Sequence, residues 1–207
     1  APRVAFASSV AVFGGALPER VPDDQVVTPQ SSYGAQKAVC ELLVHDYARK
    51  GFVDGRSLRL PTVTVRPGKP NKAASSFASG IVREPLAGVE AVCPVDASTR
   101  MWVVSPRTVV ESLIAGYEAP ASSLPPSHAV NVPGISVTVA EMVEALRRVA
   151  GDAVADRVVF RHDETIDRIV RTWPRDFDAK VGRALGMRGD ASFEAIVRQY
   201  VEHDRPR

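Results

Sequence analysis

The sequence predicts an α/β protein built around a parallel β-sheet. Three successive segments carry this prediction. Residues 4–12 form the apolar run of a buried strand, residues 32–49 place apolar side chains at helical spacing, and residues 58–65 alternate and are rich in β-branched residues. Strand, helix and strand in this order form a right-handed crossover between two parallel strands.

Glycine and proline residues mark the connections between these segments. Gly14 and Gly15 end the first strand, and the proline-containing residues 15–32 predict a loop long enough to fold back over the strand ends. In the helix that follows, one face carries four apolar residues, which are Ala38, Leu42, Leu43 and Tyr47. Gly51 suits the C-terminal stop of that helix, and Pro61 argues against a fully regular second strand.

Shorter elements follow a polar loop at residues 67–74, and a soft boundary is expected at 66–74. The predicted strands are 91–95, 100–104, 128–132 and 158–160. The predicted helices are 75–86, 106–118, 138–149, 179–185 and 193–203. The third of these helices begins with a capping box formed by Thr138 and Glu141.

Composition excludes several classes of protein. The 207 residues carry a net charge of only +2, which gives no reason to expect nucleic acid or an anionic membrane as a partner. No apolar run approaches the roughly 18 residues that span a bilayer. Cys40, Cys93 and the four histidines show no metal-ligand spacing, so we expect no metal site, no disulfide framework and two buried thiols. With no signal peptide, this fits a reducing cytoplasm.

A possible acid–base site lies in the first forty residues. Tyr33 and Lys37 are four residues apart, so they project from one face of the helix. A nearby ammonium favours the phenolate and should lower the tyrosine pKa, which suits proton transfer to and from an alcohol. Ser8 and Ser9 end the preceding strand, where a hydroxyl can bond the same substrate oxygen. A Tyr–Lys pair alone also occurs by chance in ordinary amphipathic helices.

Three stretches together resemble the extended short-chain dehydrogenase/reductase family: SSVAVFGG, TPQSSYGAQKAVCE and LRLPTVTVRPG. The resemblance implies the second half of a Rossmann-type doubly wound parallel sheet within residues 1–66. It also implies a small C-terminal α/β substrate domain within residues 67–207, some segments of which return to the sheet. The glycine-rich nucleotide loop that opens a complete member of the family is absent from the sequence.

The resemblance also implies residue roles. Tyr33 would donate and accept the proton and would also contact the cofactor, and Lys37 would hold the nicotinamide ribose. Ser9 would be the catalytic serine that, with Tyr33, meets the substrate. Ser8 would contact cofactor or substrate. The residues packing against the nicotinamide would be Pro61, Thr62 and Val63, where Thr62 departs from the asparagine common in the family. The cofactor would be NAD, with NADP not excluded.

Other stretches are closer to family members that oxidise small sugar acids than to sugar-nucleotide epimerases, among them RLPTVTVRPGKPNKAASSFASGIVREPL. The substrate-binding candidates are then Arg66, Lys69, Asn71, Ser75, Ser76 and Arg100. Two alternatives remain: a sugar-nucleotide epimerase or dehydratase, and a truncated fragment without activity. The family also pairs through the active-site helix, so a homodimer is expected, with apolar surface from Val39, Leu42, Leu43 and Val44.

Overall fold

The computed structural model describes residues 1–69 and 73–205. The strands in this part of the chain are β1 (Arg3–Ser9), β2 (Asp54–Leu60), β3 (Thr62–Val63), β4 (Ala91–Cys93), β5 (Arg100–Val104), β6 (Ala129–Asn131), β7 (Ile135–Thr138) and β8 (Val158–Phe160). The α-helices are α1 (Ser32–Arg49), α2 (Ser76–Leu86), α3 (Pro106–Glu118), α4 (Val139–Ala150), α5 (Asp152–Ala155), α6 (Glu164–Val170), α7 (Lys180–Ala184) and α8 (Phe193–Gln199).

The chain divides into two compact units, each assembled from three segments. The first unit contains Ala1–Pro61, Arg107–Gly134 and Trp173–Gly189. The second contains Thr62–Pro106, Ile135–Thr172 and Asp190–Arg207. The assignment of residues 1–66 and 67–207 to a nucleotide-binding and a substrate domain stays a prediction.

The first unit holds a parallel sheet in the order β1-β2-β6. Helix α1 connects the two parallel strands β1 and β2, which confirms the predicted crossover. The strands are in register to their last residues, with Ser9 opposite Leu60. Their carboxyl ends therefore meet at one edge, where α/β proteins commonly place their sites.

Alternation along β2 divides its side chains between two helical layers. Arg59 bonds Glu41 of α1 on one face, and a side chain at Gly55 on the same face would collide with Val44 of α1. On the other face the guanidinium of Arg56 donates to carbonyls at the end of α3 and to that of Ala119 just beyond it, and Leu58 enters the core. That core cluster contains Leu58, Val130, Val132 and Met187.

The second unit combines a mixed sheet, in the order β3-β5-β7, with the parallel pair β4-β8. Strand β5 runs parallel to β3 and antiparallel to β7. Helix α4 packs against α8, and α2 packs against β4. The predicted capping box is present: the Thr138 hydroxyl accepts from the Glu141 N–H, and the Glu141 carboxylate accepts from the Thr138 N–H.

Several predicted boundaries were wrong. The segment 58–65 is two strands in different sheets, because Pro61 has no N–H to continue the ladder. Strand β1 ends at Ser9, and Val10–Val12 form a 3₁₀ turn instead of more strand. Helix α6 and strand β7 were not predicted. The last predicted helix changes to a π-helical turn at Tyr200–Asp204.

The apolar stripe of α1 faces outward, contrary to what an amphipathic helix suggests. Leu42, Leu43 and Tyr47 are each half exposed or more, whereas the buried residues of α1 are Gly34 and Glu41. Helical spacing identified the stripe correctly but did not identify which face meets the sheet. Polar Glu41 faces inward because Arg59 supplies its partner there.

Both cysteines are free thiols, as expected; Cys93 is buried, whereas Cys40 is partly exposed, so the expectation of two buried thiols holds for one. Burial raises the pKa of the Cys93 thiol. Across residues 1–69 and 73–205, no helix combines the length and apolarity needed to cross a membrane.

Candidate active site at the carboxyl end of strand β1

The tyrosine and lysine singled out by the sequence lie in the first turns of α1. This helix begins after Ser31, whose side chain accepts the N–H of Gly34 and so caps the helix. The ring of Tyr33 is 54% exposed. The Lys37 ammonium lies 5.6 Å from the centroid of that ring, so the two residues share one face as predicted.

The ammonium of Lys37 is fixed against strand β1. Its Nζ donates to the carbonyl oxygen of Ala7 at 2.8 Å and lies 4.8 Å from the ring centroid of Phe6. An ammonium has three N–H donors, so the bond to Ala7 leaves two for other acceptors. A cation with two remaining donors beside an exposed phenol fits a ligand that presents neighbouring hydroxyls.

Gly34 brings the beginning of α1 directly against the turn that follows Ser9. A Cβ at Gly34 would lie 2.0 Å from the carbonyl oxygen of Ala11 and 3.1 Å from Cβ of Pro29. Any other residue would force the helix away from the turn. The glycine therefore sets the distance between Tyr33 and the end of β1, a role that spacing along the sequence did not indicate.

The two neighbouring serines have different surroundings. Ser9 is the N-cap of the Val10–Val12 turn, and its Oγ accepts the N–H of Ala11 at 3.1 Å. Because this bond uses a lone pair, the Ser9 hydroxyl keeps its proton for another acceptor. Ser8 is buried, and its hydroxyl donates to the Glu41 carboxylate.

The Glu41 carboxylate also forms an ion pair with Arg59, a residue that the sequence did not single out. Arg59 Nη2 donates to Glu41 Oε2 at 2.7 Å, and Nε lies 3.0 and 3.1 Å from the two carboxylate oxygens. Both residues are buried, and the guanidinium carbon lies 4.8 Å from the ring centroid of Phe13. A polar pair inside a helix–sheet interface leaves no signal in hydrophobic periodicity.

The loop that follows β1 folds over the carboxyl edge of its sheet, as predicted. The Asp23 carboxylate accepts from Asn131, the last residue of β6, and from the N–H of Val181. Val21 also forms a parallel bridge with Phe177. These bonds tie the loop to distant parts of the same unit.

The three residues predicted to face a nicotinamide lie just beyond β2. Pro61 is buried in the first unit and follows Leu60, which is opposite Ser9. Thr62 and Val63 form β3 in the second unit, paired with Val103 and Val104.

The residues predicted to bind substrate are spread over the second unit. Arg66 is partly exposed; its N–H donates to Ser79 and its carbonyl accepts from Arg83. Lys69 is exposed, and Asn71 lies outside the described residues. Ser75 is the residue before α2, with no capping bond from its side chain, and Ser76 begins that helix.

Arg100 opens β5 and already has partners. Its Nη1 lies 3.3 Å from the carbonyl oxygen of Ser136, to which it donates, and 4.0 Å from Glu141 Oε2. The Thr138 N–H donates to Glu141 and holds the pKa of that carboxyl below its usual range, so the carboxylate stays charged. A substrate carboxylate would compete with it for Arg100.

The second unit also contains a cavity of about 730 Å³ between α2, β4 and the segment that leads into α6. The charged residues among those lining it are Glu84, Glu90, Arg161, Asp163 and Glu164. With four carboxylates against one guanidinium, the lining is a poor environment for a phosphate group.

Three potential metal ligands also meet in the second unit, although their spacing did not suggest it. The ligand atoms of Asp96, His162 and Asp167 lie within 4.8 Å of one another. Arg171 Nε lies 2.6 Å from Asp167, and its Nη2 lies 3.7 Å from Asp96. A guanidinium therefore already neutralises both carboxylates.

A parallel α/β unit that gathers polar side chains at the carboxyl end of a strand has the arrangement in which many nucleotide-binding proteins form their sites. Residues 1–130 match the NAD dependent epimerase/dehydratase family, and the chain belongs to that family.

Two curated relatives extend the comparison along almost the whole chain. D-erythronate dehydrogenase of Cupriavidus necator is 58% identical over 97% of the chain, and D-erythronate dehydrogenase of Haemophilus influenzae is 50% identical over 98%. The chain spans 62% and 64% of the lengths of these two proteins.

Solved structures show the same fold. A nucleoside-diphosphate-sugar epimerase from Agrobacterium tumefaciens superposes with a TM-score of 0.94 at 48% identity, covering 98% of the chain and 59% of the other protein. L-threonine dehydrogenase from Phytophthora infestans superposes with a TM-score of 0.86 at 26% identity, covering 98% and 65%.

Proposed function

We propose that this chain carries the acid–base residues of an NAD-dependent dehydrogenase that oxidises a hydroxyl of a small sugar acid, with D-erythronate as the first candidate. The observation that carries the proposal is the exposed Tyr33 phenol beside an ammonium anchored on β1. The similarity to two D-erythronate dehydrogenases supports the substrate. The product would be the corresponding oxo acid, formed at C2.

Each residue then has one task. Tyr33 accepts the proton of the substrate hydroxyl as a phenolate and becomes a neutral phenol, and the exposure of its side chain leaves it accessible to a ligand. Lys37 stabilises the phenolate by charge and offers its two remaining N–H donors to ribose hydroxyls. Ser9 donates its hydroxyl proton to the reacting oxygen, and its other bond to Ala11 keeps it oriented.

The nicotinamide nucleotide supplies the hydride acceptor when it is bound. Lys37 would hold its ribose, while Pro61, Thr62 and Val63 are the candidates to lie near its ring. The buried Ser8 hydroxyl donates to Glu41 and is left out of this set. NAD is the proposed form because the matching family is described as NAD dependent. Arg66, Lys69, Asn71, Ser75, Ser76 and Arg100 are the proposed contacts to the sugar acid.

The acid–base proposal is tested by replacing Tyr33 with Phe. The intact mass of the isolated protein is determined first. NADH formation is then measured on the same protein with a panel of four-carbon sugar acids. Tyr33→Phe should lower kcat by about 10²–10⁴-fold, because the proton acceptor is lost. Tyr47→Phe, at a similarly exposed tyrosine of the same helix, is the matched control and should leave the rate unchanged. Equal rates for both variants would overturn the assignment of Tyr33.

A sugar-nucleotide epimerase is the second candidate, favoured by the similarity to the Agrobacterium tumefaciens protein. Calorimetric titration with nucleoside-diphosphate sugars separates the two proposals. Tight binding of these ligands, without oxidation of sugar acids, would favour the epimerase.

We also propose that two chains pair through α1. The exposed side chains of Val39, Leu42 and Leu43, with partly buried Val44, form an apolar surface that a second copy would cover. Sedimentation equilibrium of Leu42→Asp against the parent chain checks this, since a buried charge should dissociate the dimer. A monomeric parent chain would contradict it.

A further inference from the structure

Lys37 has a carboxylate one helical turn away, yet does not pair with it. Glu41 follows Lys37 by four residues, the spacing at which lysine and glutamate normally attract each other on a helix surface. In the described part of the chain no carboxylate oxygen lies within 4.0 Å of Lys37 Nζ. The carboxylate of Glu41 belongs instead to Arg59.

The contacts around Glu41 account for this choice. Arg59 presents two nitrogens to the carboxylate, a fork that an ammonium does not match. Ser8, which lies opposite Arg59 in the β1–β2 register, adds a hydroxyl donor on the same carboxylate. With both partners side by side on the sheet, Glu41 is directed inward, away from the exposed surface of α1.

The fixed position of Glu41 has an electrostatic consequence for the site. A buried carboxylate without its partner is strongly unfavourable, so it would turn to another cation. Lys37 is that cation, since it precedes Glu41 by four residues, which is about 6 Å along the helix axis. A Lys37 neutralised by Glu41 would no longer stabilise a phenolate at Tyr33.

We propose that Arg59 is a positioning residue that sequesters the Glu41 carboxylate and thereby keeps the charge of Lys37 available to Tyr33. The inference deepens the proposed function and rests on it for the roles of Tyr33 and Lys37. It assigns to the buried pair an electrostatic task in addition to joining α1 to the sheet. Arg59 acts through Glu41 and Lys37 and touches no reacting atom.

The test follows the ionisation of Tyr33 by near-ultraviolet absorbance in the 207-residue chain. Subtracting the spectrum of a Tyr33→Phe partner in each background isolates this residue from the other tyrosines. In Arg59→Met, Glu41 is released towards Lys37, so the absorbance change should move to higher pH by about one unit. In Glu41→Gln, Arg59 is left as an uncompensated cation, so the change should move to lower pH.

The double variant Arg59→Met/Glu41→Gln removes both charges and decides between the two accounts. Sequestration predicts that its titration returns close to that of the parent chain. A purely structural role predicts that the Tyr33 titration shifts in the same direction in all three variants. The shift in the double variant would then be at least as large as in either single variant, and that result would overturn the proposal. If Arg59→Met does not give a cooperative thermal transition, the Glu41→Gln and double variants still decide.

The titration needs neither cofactor nor substrate, so it is independent of the dehydrogenase assay. If the Tyr33 titration shifts in the predicted directions but no NADH forms, the proposed activity is contradicted and the role of Arg59 is kept. If NADH formation depends on Tyr33 but the Tyr33 titration shifts in none of the three variants, the role of Arg59 is contradicted and the activity is kept.

Discussion

The carboxyl end of β1 and the predicted substrate residues of the second unit differ in how they are held. At β1, Lys37, Ser8 and Ser9 each have a defined hydrogen bond within one strand, one turn and one helix. In the second unit, Arg100 is 44% exposed at its side chain and shares a charged partner, Glu141. The comparison teaches that the proposed acid–base residues are held in place before any ligand binds, whereas Arg100, the proposed substrate contact, would have to exchange partners.

The largest expected effect that tests this comparison comes from replacing the neighbouring serines, Ser8 and Ser9. Ser9→Ala should lower kcat by about 10²–10³-fold, because it removes a donor to the reacting oxygen. Ser8→Ala should instead cost about 1–3 kcal/mol of unfolding free energy, because Glu41 loses a buried donor. Steady-state rates and chemical denaturation of both variants measure the two effects. A larger rate loss in Ser8→Ala would reverse the proposed roles.

A second effect is expected where α1 meets the turn after β1. Gly34→Ala should lower kcat by about 10²-fold and unfolding free energy by about 1–3 kcal/mol, because its Cβ displaces the helix that carries Tyr33. Gly80→Ala in α2 is the control, since the three atoms nearest to its Cβ belong to the Glu84 side chain and lie 3.3 Å away or more. Wild-type rates in Gly34→Ala would show that Tyr33 tolerates displacement.

The smallest effect is expected in the second unit. Arg100→Ala should raise KM for the sugar acid about tenfold with little change in kcat, because a substrate contact is lost while the acid–base residues stay in place. Arg107→Ala, at an exposed arginine paired with Glu111, is the matched control for charge. An unchanged KM would remove Arg100 from the substrate site, and a fall in kcat alone would contradict preorganisation.

How far the sequence reached depends on the range of the interactions involved. The crossover of β1, α1 and β2 was predicted because periodicity and turn residues act within a few positions of each other. Strand β7 was missed because it is stabilised by pairing with β5, more than thirty residues earlier in the chain. Helix α6 was missed because its seven residues are too few to show a clear helical periodicity, although Asp163 caps it and Glu164 and Asp167 lie in its first turn.

By itself the sequence determined the order of the main elements and the placement of Tyr33 and Lys37 on one helical face. Four residues of helix leave little freedom in that relation. Only the tertiary structure decided that Gly34 sets the approach of α1 to β1, and that Arg59 takes the Glu41 carboxylate from Lys37. The reason is physical: both depend on contacts between segments distant along the chain, whose distances no local pattern encodes.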